Sequence, residues 1–172
     1  MTYATIHFIK GILFVGFLII SIFTFSTSNA HAYFTTGQRA MVLDTHTALF
    51  LIDYAFGVKN HEVQLPIKAS YLSTSTDAVS YAIIDKNGNQ VAGKTVGIVL
   101  SKTPITTHQM YATPKGKSGK FTLAVFFTPD TSETPNEFRL QVTNLPFSFD
   151  GTQQLQLNPS ELQYYTTKLI SI

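Results

Sequence analysis

The sequence predicts an all-β fold: a single antiparallel β-sandwich behind an apolar N-terminal helix. Three observations carry this expectation. Beyond residue 33, apolar side chains recur with period two in short segments, the spacing that puts one face of a strand inside and the other in water. Glycine, proline, asparagine and aspartate punctuate those segments, as turns between strands require. No window there sustains the i, i+3, i+4, i+7 recurrence of an amphipathic helix over three turns, and the β-branched content disfavours one. The remaining roughly 140 residues suffice for one domain with a core, not for two ordinary ones. The chain has no cysteine, so disulfides, thiolate metal sites and thiol chemistry play no part. The aromatic-rich composition, 14 Phe and 8 Tyr in the full chain, allows a hydrophobic core to hold the domain without them.

The elements follow in order. Gly11 to Phe25 is an unbroken apolar run behind Lys10, and it closes on Ala30-His31-Ala32, the small-x-small spacing of a signal-peptidase site. As a helix the run reaches only about 22 Å, short of the roughly 30 Å hydrocarbon core. Residues 1–32 therefore read as a signal peptide cleaved after Ala32, with an uncleaved membrane anchor as the alternative. Either way residues 33–172 are placed outside the cytoplasm. Strands are expected over Ala48 to Phe56, Val63 to Tyr71, Ala78 to Asp85, Val91 to Ser101, Phe121 to Thr128, Glu137 to Val142 and Leu162 to Ile172. In the first, Leu49 and Leu51 on the second face predict a central strand covered on both sides. In Glu137 to Val142 the alternation is cleanest, and it breaks at Asn144 before resuming around Pro146, which predicts a bulge or an edge. Asn158-Pro159-Ser160-Glu161 has the cap, N1 proline and N3 acid of one helical turn. An eight-stranded barrel is the alternative architecture.

Several motifs invite chemistry and are better read as structure. Gly88 to Thr95 fits G-x-x-x-x-G-K-[ST], yet a phosphate cradle needs a helix after the threonine. Val96-Gly97-Ile98-Val99 follows instead, so Asn87-Gly88 is expected to be a hairpin turn. Leu49 to Asp53 looks like a Walker B segment but precedes the glycine loop. Asp85-x-Asn87-x-Asn89 has the opening spacing of a calcium loop, but Gln90 stands where glycine is required. Beyond residue 33 the histidines, His46, His61 and His108, lack metal-ligand spacing, and Asp44-x-His46 alone reads as a surface pair near a strand end. Lys115, Lys117 and Lys120 are spaced by two glycines and a serine, a solvated loop rather than a binding patch. No G-x-S-x-G elbow occurs. Asp53, Asp85, Asp130 and Glu137 are available for a carboxylate pair, whose separation sequence cannot give. Tyr54, Tyr71, Tyr81, Tyr111, Tyr164 and Tyr165 are expected mostly in the core, with one of the adjacent Tyr164 and Tyr165 forced outward.

Ser80 to Val91, in which an apolar strand ends in Asp85, turns on Asn87-Gly88 and returns, resembles the hairpin of exported bacterial immunoglobulin-like and fibronectin-III-like domains. The resemblance implies adhesion, surface assembly or ligand binding rather than catalysis. Lys10 is the sole basic residue ahead of Tyr33, which leaves 11 basic against 10 acidic residues and argues against nucleic acid as a partner. The expectation is a non-enzymatic surface or envelope binding module without cofactor, metal or catalytic residues, whose partner is a protein or a surface glycan. Membrane contact would come only through residues 1–32 if uncleaved. An exported hydrolase built on carboxylates or a Ser/His pair, and a subunit assembled by strand addition to its own copies, are the alternatives.

Overall fold

A computed structural model describes residues 35–130 and 137–172. The expected signal segment at 1–32 lies outside the described residues. The described chain is all-β apart from one helical turn. Its strands are β1 (Thr35–Asp44), β2 (Thr47–Phe56), β3 (Val63–Pro66), β4 (Ala69–Tyr71), β5 (Val79–Asp85), β6 (Gly93–Ser101), β7 (Met110–Thr113), β8 (Gly119–Pro129), β9 (Phe138–Asn144), β10 (Pro146–Phe149) and β11 (Gln153–Gln156), followed by α1 (Pro159–Leu162). They form three sheets, ordered β1-β2-β8-β6, β11-β10-β3-β7 and β4-β5-β9. Every pairing is antiparallel except β4 with β5, which is parallel.

The period-two pattern sets the core. Along β2, Ala48, Phe50, Ile52, Tyr54 and Phe56 are buried while the residues between them are half-exposed. Its neighbour β8 turns Phe121, Leu123, Val125 and Phe127 to the same side. Phe138 of β9 meets Phe50 and Phe127 edge-on, with ring centroids 6.1 and 5.1 Å apart. Phe147 of β10 tilts against Phe56 at 4.7 Å, and Tyr111 of β7 against Phe121 at 5.8 Å. These edge and tilted geometries suit the ring quadrupoles. The inner face of β1-β2-β8-β6 is thus closed by side chains from the other two sheets.

Four expectations change in detail. The strand expected over Val63 to Tyr71 is two strands in different sheets. Pro66 has no N–H to extend the ladder beyond its pairing with Met110, and the Ile67 carbonyl instead accepts the Val99 N–H at 3.0 Å. The break at Asn144 is a change of sheet, β9 pairing with β5 and β10 with β3 and β11. The strand covered on both faces is β5, buried throughout; β2 is interior to its sheet but half-exposed on its second face. The segment expected as a strand over Leu162 to Ile172 begins in α1. Asn158, extended at φ −65° and ψ 148°, donates its N–H to Glu161 Oε2 at 3.0 Å, and this capping draws Leu162 into the turn. The rest runs antiparallel along the free edge of β9, the Val142 N–H bonding the Tyr165 carbonyl at 2.9 Å and Phe138 exchanging both backbone bonds with Ile170.

Candidate functional site

The glycine-lysine motif forms a turn and a strand. Gly88 stands at φ 87°, and its N–H closes the turn on the Asp85 carbonyl at 3.1 Å. Gly93 opens β6, in which Thr95 lies, and no helix follows. The turn does not continue as a two-stranded hairpin: after one bridge, Ile84 to Gln90, the chain crosses to pair with β8. The Asp85 carboxylate accepts the N–H groups of Asn87 and Asn89, both at 2.8 Å, and the Asn89 amide at 3.1 Å. Burial pushes this carboxyl up, and those bonds outweigh it and hold it below the usual range. Its oxygens bind the turn itself, as an Asx-type turn requires.

The other candidates are dispersed. Asp44 accepts the His46 N–H at 2.7 Å in the β1–β2 turn. His61 stacks on Phe149 and shares a 2.7 Å bond with Asp150, while His108 lies beside Thr107. A nucleophilic triad would need a hydroxyl on the second nitrogen of His61, and among the described residues none bonds there. Asp53 is held by Arg39 at 2.9 Å and by the Thr122 hydroxyl at 2.6 Å. Glu137 is exposed just ahead of β9, and the Asp130 N–H bonds the Ala92 carbonyl at 3.1 Å. Among the described residues no group of three potential metal ligands converges, and no helix is long and apolar enough to cross a membrane. Among the described tyrosines, Tyr54, Tyr81, Tyr111 and Tyr165 are buried, Tyr71 is half-buried, and Tyr164 is the one turned outward.

What the fold does assemble is an apolar surface. On the outer face of β1-β2-β8-β6 the strand register aligns Met41, Leu49, Phe126 and Val96 in one row and Arg39, Leu51, Ala124 and Ile98 in the next. The third row is Gly37, Asp53, Thr122 and Leu100. Val96 is 69 % exposed, and Met41, Phe126, Ile98 and Leu100 are between 41 and 48 % exposed. Arg39, Asp53 and Thr122 form a neutral, mutually bonded island within it. Val42 and Leu43 are also exposed at the free edge of β1, Val42 on the opposite face where it pairs with Ala48. Sequence reading passed over this face because alternation was read only for what it puts inside. The signal lay in Val96, Ile98 and Leu100, apolar at the positions that a wet face should give to polar residues.

No family model matches the chain, and no curated protein sequence matches it.

Proposed function

We propose that this chain is a non-enzymatic binding module that works outside the cytoplasm. In this reading residues 1–32 deliver residues 33–172, an immunoglobulin-like β-sandwich, and the outer face of β1-β2-β8-β6 docks a protein partner. The observation that carries it is the exposed apolar ladder of Met41, Leu49, Phe126, Val96, Ile98 and Leu100. Monomers seldom leave more than about 300–600 Å² of contiguous apolar surface bare. Side chains at this exposure present an area on the order of 500 Å², which with a polar rim approaches the ~800 Å² per partner of a stable interface. The sheet ends at β1, whose second edge takes no strand among the described residues, and an end left open there favours a sandwich over a closed barrel. A protein is favoured over a glycan because Phe126 is the one aromatic ring in those rows, whereas a sugar platform would need stacked exposed rings.

The test is photo-crosslinking from residue 96 in cells that make the full chain, with residue 86 in the exposed turn as the control. We expect a discrete protein adduct from position 96 alone, abolished by Phe126→Glu while Tm stays within a few degrees. Equal labelling from both positions, or none from 96, would sink the reading. Strand addition by a second copy is the other reading, supported by β1, which among the described residues pairs only with β2 and leaves Met41, Val42 and Leu43 exposed at its edge. An adduct of twice the chain's own mass would assign the partner to that copy. The mass of the material recovered outside the cytoplasm reports whether the chain begins at Tyr33.

A further inference from the structure

A second feature, independent of the apolar face, lies where that face ends. The segments 100–104 and 113–122 border an open cleft of about 690 Å³ with Lys102, Lys117 and Lys120 among its lining residues. No acidic residue lines it, and among the described residues none of the three lysines has a carboxylate partner. Sequence reading grouped Lys117 and Lys120 with Lys115 as a solvated loop. The fold divides them differently: Lys115 lies outside the cleft and its charge helps hold the Asp150 carboxyl low, while Lys102 arrives from the end of β6.

Both walls are pinned. The Ser101 hydroxyl donates to the Lys120 carbonyl at 2.7 Å and accepts the Thr103 N–H at 3.0 Å, which ties the 101–104 turn to the start of β8. Across the cleft the Lys117 N–H closes a turn on the Pro114 carbonyl at 3.0 Å, and the Gly116 N–H bonds the Val58 carbonyl at 3.0 Å. Thr113, in the same wall, carries a buried hydroxyl without a protein partner. Three lysines line one cleft without a carboxylate, so their like charges add to a positive field there and their mutual repulsion is relieved by no group of the lining. A bound anion would relieve that repulsion without the ordering cost that mobile loops would add.

The donor set narrows the anion. No arginine lines the cleft, so recognition there rests on lysine point charges, whose attraction grows with the charge of the anion and so favours phosphate or sulfate over a monovalent carboxylate. We propose that this cleft is a binding site for a tetrahedral oxyanion, either free phosphate or sulfate or the same group carried as an ester on an acidic polymer.

The test is titration of the isotope-labelled chain with inorganic phosphate, glycerol 3-phosphate and a polyphosphate chain at constant ionic strength, followed by backbone amide shifts. We expect saturable shifts confined to residues 100–104 and 113–122. Combined Lys102→Gln, Lys117→Gln and Lys120→Gln should weaken binding at least tenfold, while combined Lys86→Gln and Lys115→Gln should leave it unchanged. Phosphate binding as tightly as the longer chain would identify a free ion as the ligand. Tenfold tighter binding of polyphosphate would identify a polymer-borne group. Shifts that never saturate, that spread over Lys68, Lys86 and Lys94, or that survive the triple substitution would overturn the site. Should the triple variant fold poorly, Lys102→Gln alone, with its amide spectrum checked first, reads the same loss.

Discussion

At the residue scale the core contains hydroxyls that the fold does not use. Tyr54 is almost wholly buried, stacks on Phe121 with centroids 5.5 Å apart and meets Tyr165 edge-on at 5.9 Å. Its hydroxyl has no partner among the described residues, and burial drives its ionisation far above the ordinary phenol range. The nearby Tyr165 phenol is pushed up to about 12, first by burial and then by the charge of Glu161. An unpaired buried hydroxyl costs its lost hydration, roughly 1–3 kcal/mol, with no bond to offset it. Tyr54→Phe keeps the ring and removes that cost. We expect it to leave the urea-unfolding free energy unchanged or to raise it by about 1 kcal/mol; a loss of that size would mean the hydroxyl is bonded after all.

At the element scale β6 shows how one residue sets the distance between layers. A Cβ added at Gly97 would stand 2.6 Å from the Tyr81 ring, and Tyr81 is buried. On an open strand Gly→Ala gains backbone entropy worth about 0.5–1 kcal/mol, but here overpacking costs about 1–3 kcal/mol. Gly97→Ala should therefore lower the urea midpoint with the slope unchanged, and a stabilised variant would show that the ring can move. The sequence spoke for the elements whose alternation is regular. Phe50, Ile52 and Tyr54, or Leu123, Val125 and Phe127, read as inward faces at once, and the tyrosine pair sorted as period two demands. β1 was missed because its inward positions, Gln38, Ala40 and Val42, mix polar with apolar, and half of that strand faces solvent on both sides. β11 was missed because Leu155 is its one apolar residue among glutamines. Which lysines share a cleft depends on loops meeting in space, and no local pattern records that.

At the scale of the whole molecule, two carboxylates couple stability to acid. Asp150 is drawn below the usual carboxyl range chiefly by its bond to His61 and then by the Glu62 N–H, and Asp85 is held low by its turn. A carboxyl whose folded value lies below the unfolded value of about 3.9 stabilises the fold above that pH, and the contribution fades as pH falls through the folded value. Tm should therefore drop on acidification below about pH 4. Asp85→Asn combined with Asp150→Asn should flatten that limb; an equally steep limb would place the acid sensitivity elsewhere. A different consequence follows from the partner that β2 takes. Its ladder is completed by β8, with Ala48 opposite Phe127, so the pairing waits for more than half of the described chain to be made. At translation rates of about 5–20 residues per second the ribosome needs several seconds to supply β8. During that interval Phe50, Ile52, Tyr54 and Phe56 have nothing to close over them, so the nascent protein is at its most vulnerable to clumping before its second half exists.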